Sequence, residues 1–83
     1  MDTPGNRLKL AREAAKLTQK ALGELANTDQ PAICRYETGK VEPPLAVWAS
    51  LAGALGVSLA WVLTGEGRTP RGIRVPEASG EAA

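Results

Sequence analysis

Residues 27–40 read NTDQPAICRYETGK, and they concentrate the chain's chemically able side chains. Gln30 and Arg35 carry hydrogen-bonding groups, Asp29 can cap a helix, and Cys34 is the chain's one cysteine. The order of residue types is that of the entrance and body of a short helix that a protein could lay against DNA. Catalysis is a poor fit. The chain has no histidine, whereas a zinc site needs several Cys or His ligands and a Cys–His nucleophile needs its His. The acids are scattered and no nucleophile has a visible base, so no enzyme, metal or cofactor is expected. A lone Cys forms no internal disulfide, and Cys34 reads as a small helix residue.

Charge points the same way only through its distribution. The net charge is +1. Arg7, Lys9, Arg12, Lys16, Lys20, Arg35 and Lys40 stand against Asp2, Glu13, Glu24, Asp29 and Glu37 in the first half. That leaves room for a small basic face on a near-neutral protein, or for a solvated mixed-charge surface. The 83 residues suffice for one small domain. No apolar run reaches membrane-spanning length and no signal peptide is visible, so a cytoplasmic protein is expected.

The elements that would position these side chains are all helical, with no convincing strand. Thr3 can cap a first helix from about Pro4 to Lys16, and Pro4 suits its first turn. Leu8, Ala11 and Ala15 share one face of it. Thr18 reads as the cap of a second helix, Gln19 to Ala26, with Leu22, Leu25 and Ala26 apolar and Asn27 able to end it in a left-handed conformation. Asp29 or Gln30 caps a third helix reaching Thr38, with Ile33 and Tyr36 pointing inward and Gly39 after it. Pro44 opens a fourth helix through Leu55, with Leu45, Trp48, Leu51, Ala52 and Leu55 at inward spacing. Ser58 caps a fifth, Leu59 to Thr64. The expected architecture is all-α, a compact five-helix bundle over residues 1–65 followed by a flexible C-terminal tail, residues 66–83. In that tail Ile73, Arg74 and Val75 offer at most one short strand.

Very few residues separate the second and third helices. Short helices joined by such a turn cross steeply, in the helix-turn-helix arrangement. Gly23 and Ala26 provide the small surface that a close crossing needs, and Gly23 accepts a helix-interior cost of about 1 kcal/mol. From Arg7 to about Gly65 the chain resembles the lambda-repressor-like helix-turn-helix family, the Cro, cI and XRE type. The resemblance rests on Arg7-Leu8-Lys9, on Leu17-Thr18-Gln19, and on Ile33-Cys34-Arg35-Tyr36-Glu37-Thr38-Gly39-Lys40 with Pro43. It also rests on LAGALGVSLAWVL, Leu51 to Leu63, with Trp61 in place.

The resemblance implies a transcriptional regulator, a small phage or bacterial repressor. As a homodimer it would bind an inverted repeat in double-stranded DNA, with half-sites roughly 34 Å apart. Helix three would enter the major groove, with Gln30 on adenine N6 and N7 and Arg35 on guanine O6 and N7 or on a phosphate. Pro31 or Ala32 would touch a thymine methyl. Thr18, Gln19 and Lys40 would lie against phosphates. Arg12 and Glu37 match positions that form a structural ion pair in the family. Leu59 and Trp61 are candidates for the dimer surface, with the core as their alternative place. The expected setting is the bacterial nucleoid or a phage-infected cell.

Two residues depart from the family pattern. Pro31 stands at a base-reading position usually held by a polar residue, and it disfavours helical angles at Gln30. That suggests Gln30 as the cap and Pro31 as the first helical residue. Asp29 stands where Ser or Thr is commoner; it stabilises a helix as a cap but repels phosphates. The alternative function is therefore a protein-interaction module or antitoxin on the same scaffold, binding a protein partner through the C-terminal tail.

Overall fold

The computed structural model describes residues 3–67, 69, 70, 72 and 73. Among them are five helices and no strand: α1 (Pro4–Ala14), α2 (Gln19–Leu25), α3 (Gln30–Thr38), α4 (Leu45–Leu55) and α5 (Leu59–Thr64). Helix α1 packs on α3, α4 and α5, α2 on α3 and α4, and α4 on α5.

Local chemistry sets the helix starts. Thr3, Thr18, Asp29 and Ser58 have extended backbones, and their side-chain oxygens accept from Asn6, Ala21, Ala32 and Trp61 N–H groups at 2.9–3.2 Å. Each satisfies a first-turn donor with no partner inside the helix. Asp29, not Gln30, is the cap of α3, and its carbonyl accepts the first helical bond, from Ile33 N–H at 3.1 Å. Gln30 is thus the first helical residue and Pro31 the second. Proline is tolerated there because first-turn N–H groups need no helical acceptor.

The helix ends share one geometry. After α1, Lys16 adopts φ 60°, and the Lys16 and Leu17 N–H groups bond back to the Glu13 and Arg12 carbonyls. After α2, Asn27 does the same at φ 63°, with Asn27 and Thr28 bonding back to Glu24 and Gly23. This is the left-handed closure that satisfies late carbonyls. It stops α1 two residues before Lys16, the end anticipated from sequence. Gly39 and Gly56 close α3 and α4 at φ 80° and 69°.

Leu8, Ala11, Leu22, Ile33, Trp48, Leu51, Ala52, Trp61 and Val62 form the buried core. Three residues of the anticipated apolar faces are exposed instead, Ala15, Leu25 at 61% and Leu45 at 64%, while Ala26, Tyr36 and Leu55 pack partly buried against the core. In α4 the apolar stripe runs one turn past the edge of the core, which begins at Trp48. The segment after Glu66 buries more than its composition suggested. Ile73 is partly buried against the core and lines a small cavity with Ala11 and Ala14 of α1, with Ala15 just after it, and with Leu55 and Val57. Arg74, Val75 and the rest of the expected tail lie outside the described residues.

Candidate nucleic-acid interface

The steep crossing of α2 and α3 depends on one missing side chain. A Cβ on Gly23 would lie 2.9 Å from the Asp29 carbonyl carbon and 3.1 Å from its Cα. Backbone therefore meets backbone at the turn, and the start of α3 is pressed against the middle of α2. Gly5 plays a matching part that the sequence reading missed. Its Cβ would stand 2.5 Å from the Tyr36 oxygen and 2.6 Å from the Glu37 oxygen. Helix α1 thus lies directly on the last turn of α3. The sequence signal was a Gly placed immediately after the opening Pro4.

These two close approaches turn Ile33 and Glu37 inward and leave Gln30, Pro31, Arg35 and Thr38 exposed on α3. Thr18 and Lys40 are exposed on either side, and Gln19 is half-buried. The Thr18 hydroxyl accepts from Ala21 N–H, which leaves its own proton available to an outside acceptor. Ala32 and Cys34 are half-buried.

A chain of side-chain hydrogen bonds runs from the interior to this outer face. Arg12 Nε donates to Glu37 Oε2 at 2.6 Å and Arg12 Nη2 to Glu37 Oε1 at 3.3 Å. Arg12 Nη1 donates to the Leu17 carbonyl at 2.8 Å, pinning the α1–α2 turn. Gln19 Nε2 donates to Glu37 Oε1 at 3.0 Å, and Gln30 Nε2 donates to Gln19 Oε1 at 2.7 Å. The pair Arg12–Glu37 is thus one end of a connected network across α1, α2 and α3. Gln19 keeps one amide proton and its backbone N–H for an outside partner; the rest of its amide is engaged within the protein. The Gln19–Gln30 bond was not foreseen, although both residues open helices that the short turn brings side by side.

A family model described as helix-turn-helix matches residues 8–62. This chain belongs to the helix-turn-helix family.

The helix-turn-helix chain is 34% identical over 61 residues to the immunity repressor protein of Bacillus phage phi105, an alignment covering 74% of this chain and 42% of that protein. It is 36% identical over 59 residues to an uncharacterised HTH-type transcriptional regulator of Bacillus subtilis strain 168, covering 71% of this chain and 51% of that one. The chain therefore spans about half the length of the curated relatives it matches. Among solved structures it resembles the P22 c2 repressor in complex with synthetic operator 9T, with a TM-score of 0.75 and 29% identity, covering 80% of this chain and 100% of that one.

On this helix-turn-helix scaffold the two dimer candidates part company. Trp61 is 1% exposed and belongs to the core, so it offers no area to a second subunit. A short α5 buries its largest side chain inward because the α1, α4 and α5 packing closes around it. Leu59 is half-buried and packed at the edge of that core. A second arginine of α1, Arg7, is also buried. Its Nε donates to the Val62 carbonyl at 2.7 Å and its Nη2 to the Leu63 carbonyl at 2.9 Å, closing the end of α5. No helix among the described residues is long and apolar enough to cross a membrane.

Proposed function

We propose that this chain is a sequence-specific DNA-binding transcriptional regulator that reads the major groove of double-stranded DNA with α3. The observation that carries the reading is the exposed start of α3. There the Gln30 amide is held against Gln19, and Arg35 stands exposed on the same helix. The similarity to a phage immunity repressor, and to a repressor solved with operator DNA, supports it.

In this reading Gln30 reads adenine, Arg35 reads guanine or grips a phosphate, and Pro31 makes van der Waals contact with a thymine methyl. Thr18, Gln19 and Lys40 lie along the phosphates and fix the register, and Lys40, the cation among them, adds salt-dependent affinity. Asp29 does not count against DNA, because its carboxylate caps α3. The protein binds an inverted repeat as a homodimer, with Leu59 at the subunit contact and half-sites roughly 34 Å apart. It acts as a cytoplasmic repressor and performs no covalent chemistry.

The test is selection from pooled random duplex DNA at two salt concentrations, followed by sequencing of what is retained. The expected result is a two-fold symmetric motif whose recovery falls with salt. Arg35→Ala should cost about 1–3 kcal/mol and relax the preference at one position per half-site. Lys40→Ala should weaken binding to all sequences and reduce the salt slope by about one. Sequence-blind or absent retention by a folded protein would overturn the proposal.

A further inference from the structure

A glutamine amide has nearly the same shape either way round, but its two ends differ: Nε2 donates and Oε1 accepts. At the start of α3 that difference decides which base edge fits. Adenine requires an acceptor opposite its N6 and a donor opposite its N7. Packing alone holds the exposed Gln30 side chain in neither orientation, so something else must choose.

We infer that Glu37 chooses, by fixing the orientation of the Gln30 amide through Gln19; this rests on the DNA-reading function proposed above. Glu37 is buried, and Arg12 donates to both of its oxygens. A carboxylate held this way only accepts. Its Oε1 stands 3.0 Å from Gln19, so Gln19 turns Nε2 inward. The far end of Gln19 is then its acceptor, 2.7 Å from Gln30. Gln30 in turn points Nε2 at Gln19 and keeps Oε1 and one amide proton for the base. At these separations, reversing any one link sets two donors or two acceptors against each other. The identity of a buried residue on the inner face of α3 thus becomes the polarity of an exposed reading group at its other end. Glu37 is a positioning residue for base selection as well as half of an ion pair.

Two variants test this against a structural role. In Glu37→Gln the new amide keeps its oxygen on Arg12 Nε, the shorter of the two contacts, gives up the longer one to Arg12 Nη2 and turns a donor toward Gln19. Gln19 and then Gln30 reverse. Combining Glu37→Gln with Gln19→Glu restores an acceptor in the middle of the chain, and Gln30 returns to its original orientation. The readout is the base preference at the Gln30 position in pooled-DNA selection, taken as a ratio so that overall affinity drops out. Glu37→Gln should lower the adenine preference there roughly tenfold, with the Arg35 position unchanged, and the double variant should recover most of it. If Glu37 merely supported the fold, the second substitution would not rescue a base preference. An unchanged preference in a folded Glu37→Gln protein, or no recovery in the double variant, overturns the inference. If Glu37→Gln fails to fold, Gln19→Met leaves the Arg12–Glu37 pair in place and removes both relay bonds. It should lower the same preference, and no change would again overturn the inference.

A DNA-free readout separates this inference from the functional reading. In the unbound wild type, nuclear Overhauser contacts should run from the Gln19 amide protons to the Glu37 methylenes. In Glu37→Gln they should run to the Gln30 methylenes. Failure of the wild type to select any sequence would sink the DNA-reading function. Failure of the Overhauser contacts to switch would sink the relay.

Discussion

Arg7 and Arg12 stand on nearly opposite sides of α1, both buried, and they end on different kinds of partner. Arg7 reaches the carbonyls of Val62 and Leu63 at the end of α5. Those acceptors are backbone, and this contact ties the last helix to the first. Arg12 reaches the carboxylate of Glu37, whose Oε1 also takes Gln19, and Gln19 takes the exposed Gln30. On those carbonyls the Arg7 guanidinium stabilises a helix end. A guanidinium on a carboxylate with spare acceptor capacity passes directionality on to the next side chain. One face of α1 is therefore a clamp, and the other is the inner end of the reading surface.

That contrast breaks first at Arg12→Ala. Glu37 would remain buried without its cation, and the fold should lose about 3–5 kcal/mol in urea denaturation. Gly5→Ala attacks the same face through backbone. The added carbon would overlap the Tyr36 and Glu37 carbonyls, α1 must shift on α3, and about 3 kcal/mol should be lost in the same assay. On the opposite face, Arg7→Met should cost about 2 kcal/mol by leaving buried carbonyls without these donors. Its DNA selection, measured on the folded fraction, should keep the wild-type motif. A changed motif in Arg7→Met would break the division between the two faces. The smallest effect is a gain. Gly53 lies within α4 with nothing inside 4 Å of a Cβ, so Gly53→Ala should raise stability by about 0.5–1 kcal/mol. The same Gly-to-Ala change thus has opposite signs at Gly5 and Gly53, and thermal melts of the two variants check it.

Much of the architecture could be read locally. Thr3, Thr18 and Ser58 were recognisable as caps because a cap bonds a backbone group only a few residues away. Asn27 announced the end of α2 for the same reason. Lys16 did not announce the end of α1, since lysine has no special preference for a left-handed backbone. Its conformation is held by the Leu17 carbonyl accepting from Arg12, a bond that forms once Arg12 is buried. Residue type alone admits either Asp29 or Gln30 as the cap of α3, and the extended backbone of Asp29 decides it.

The sequence by itself determined the helices, the short turn between α2 and α3, and the residue types at the start of the reading helix. All of these follow from capping, periodicity and backbone preference, which act over a few residues. The tertiary structure alone decided which apolar residues were buried, so that Trp61 went inward and Leu25 and Leu45 outward. It also placed Arg7 on carbonyls 55 and 56 residues away and connected Arg12 to Gln30 through Glu37 and Gln19. Those outcomes depend on which helix faces which. That choice is made by close packing at Gly5 and Gly23, where absent side chains let backbones meet.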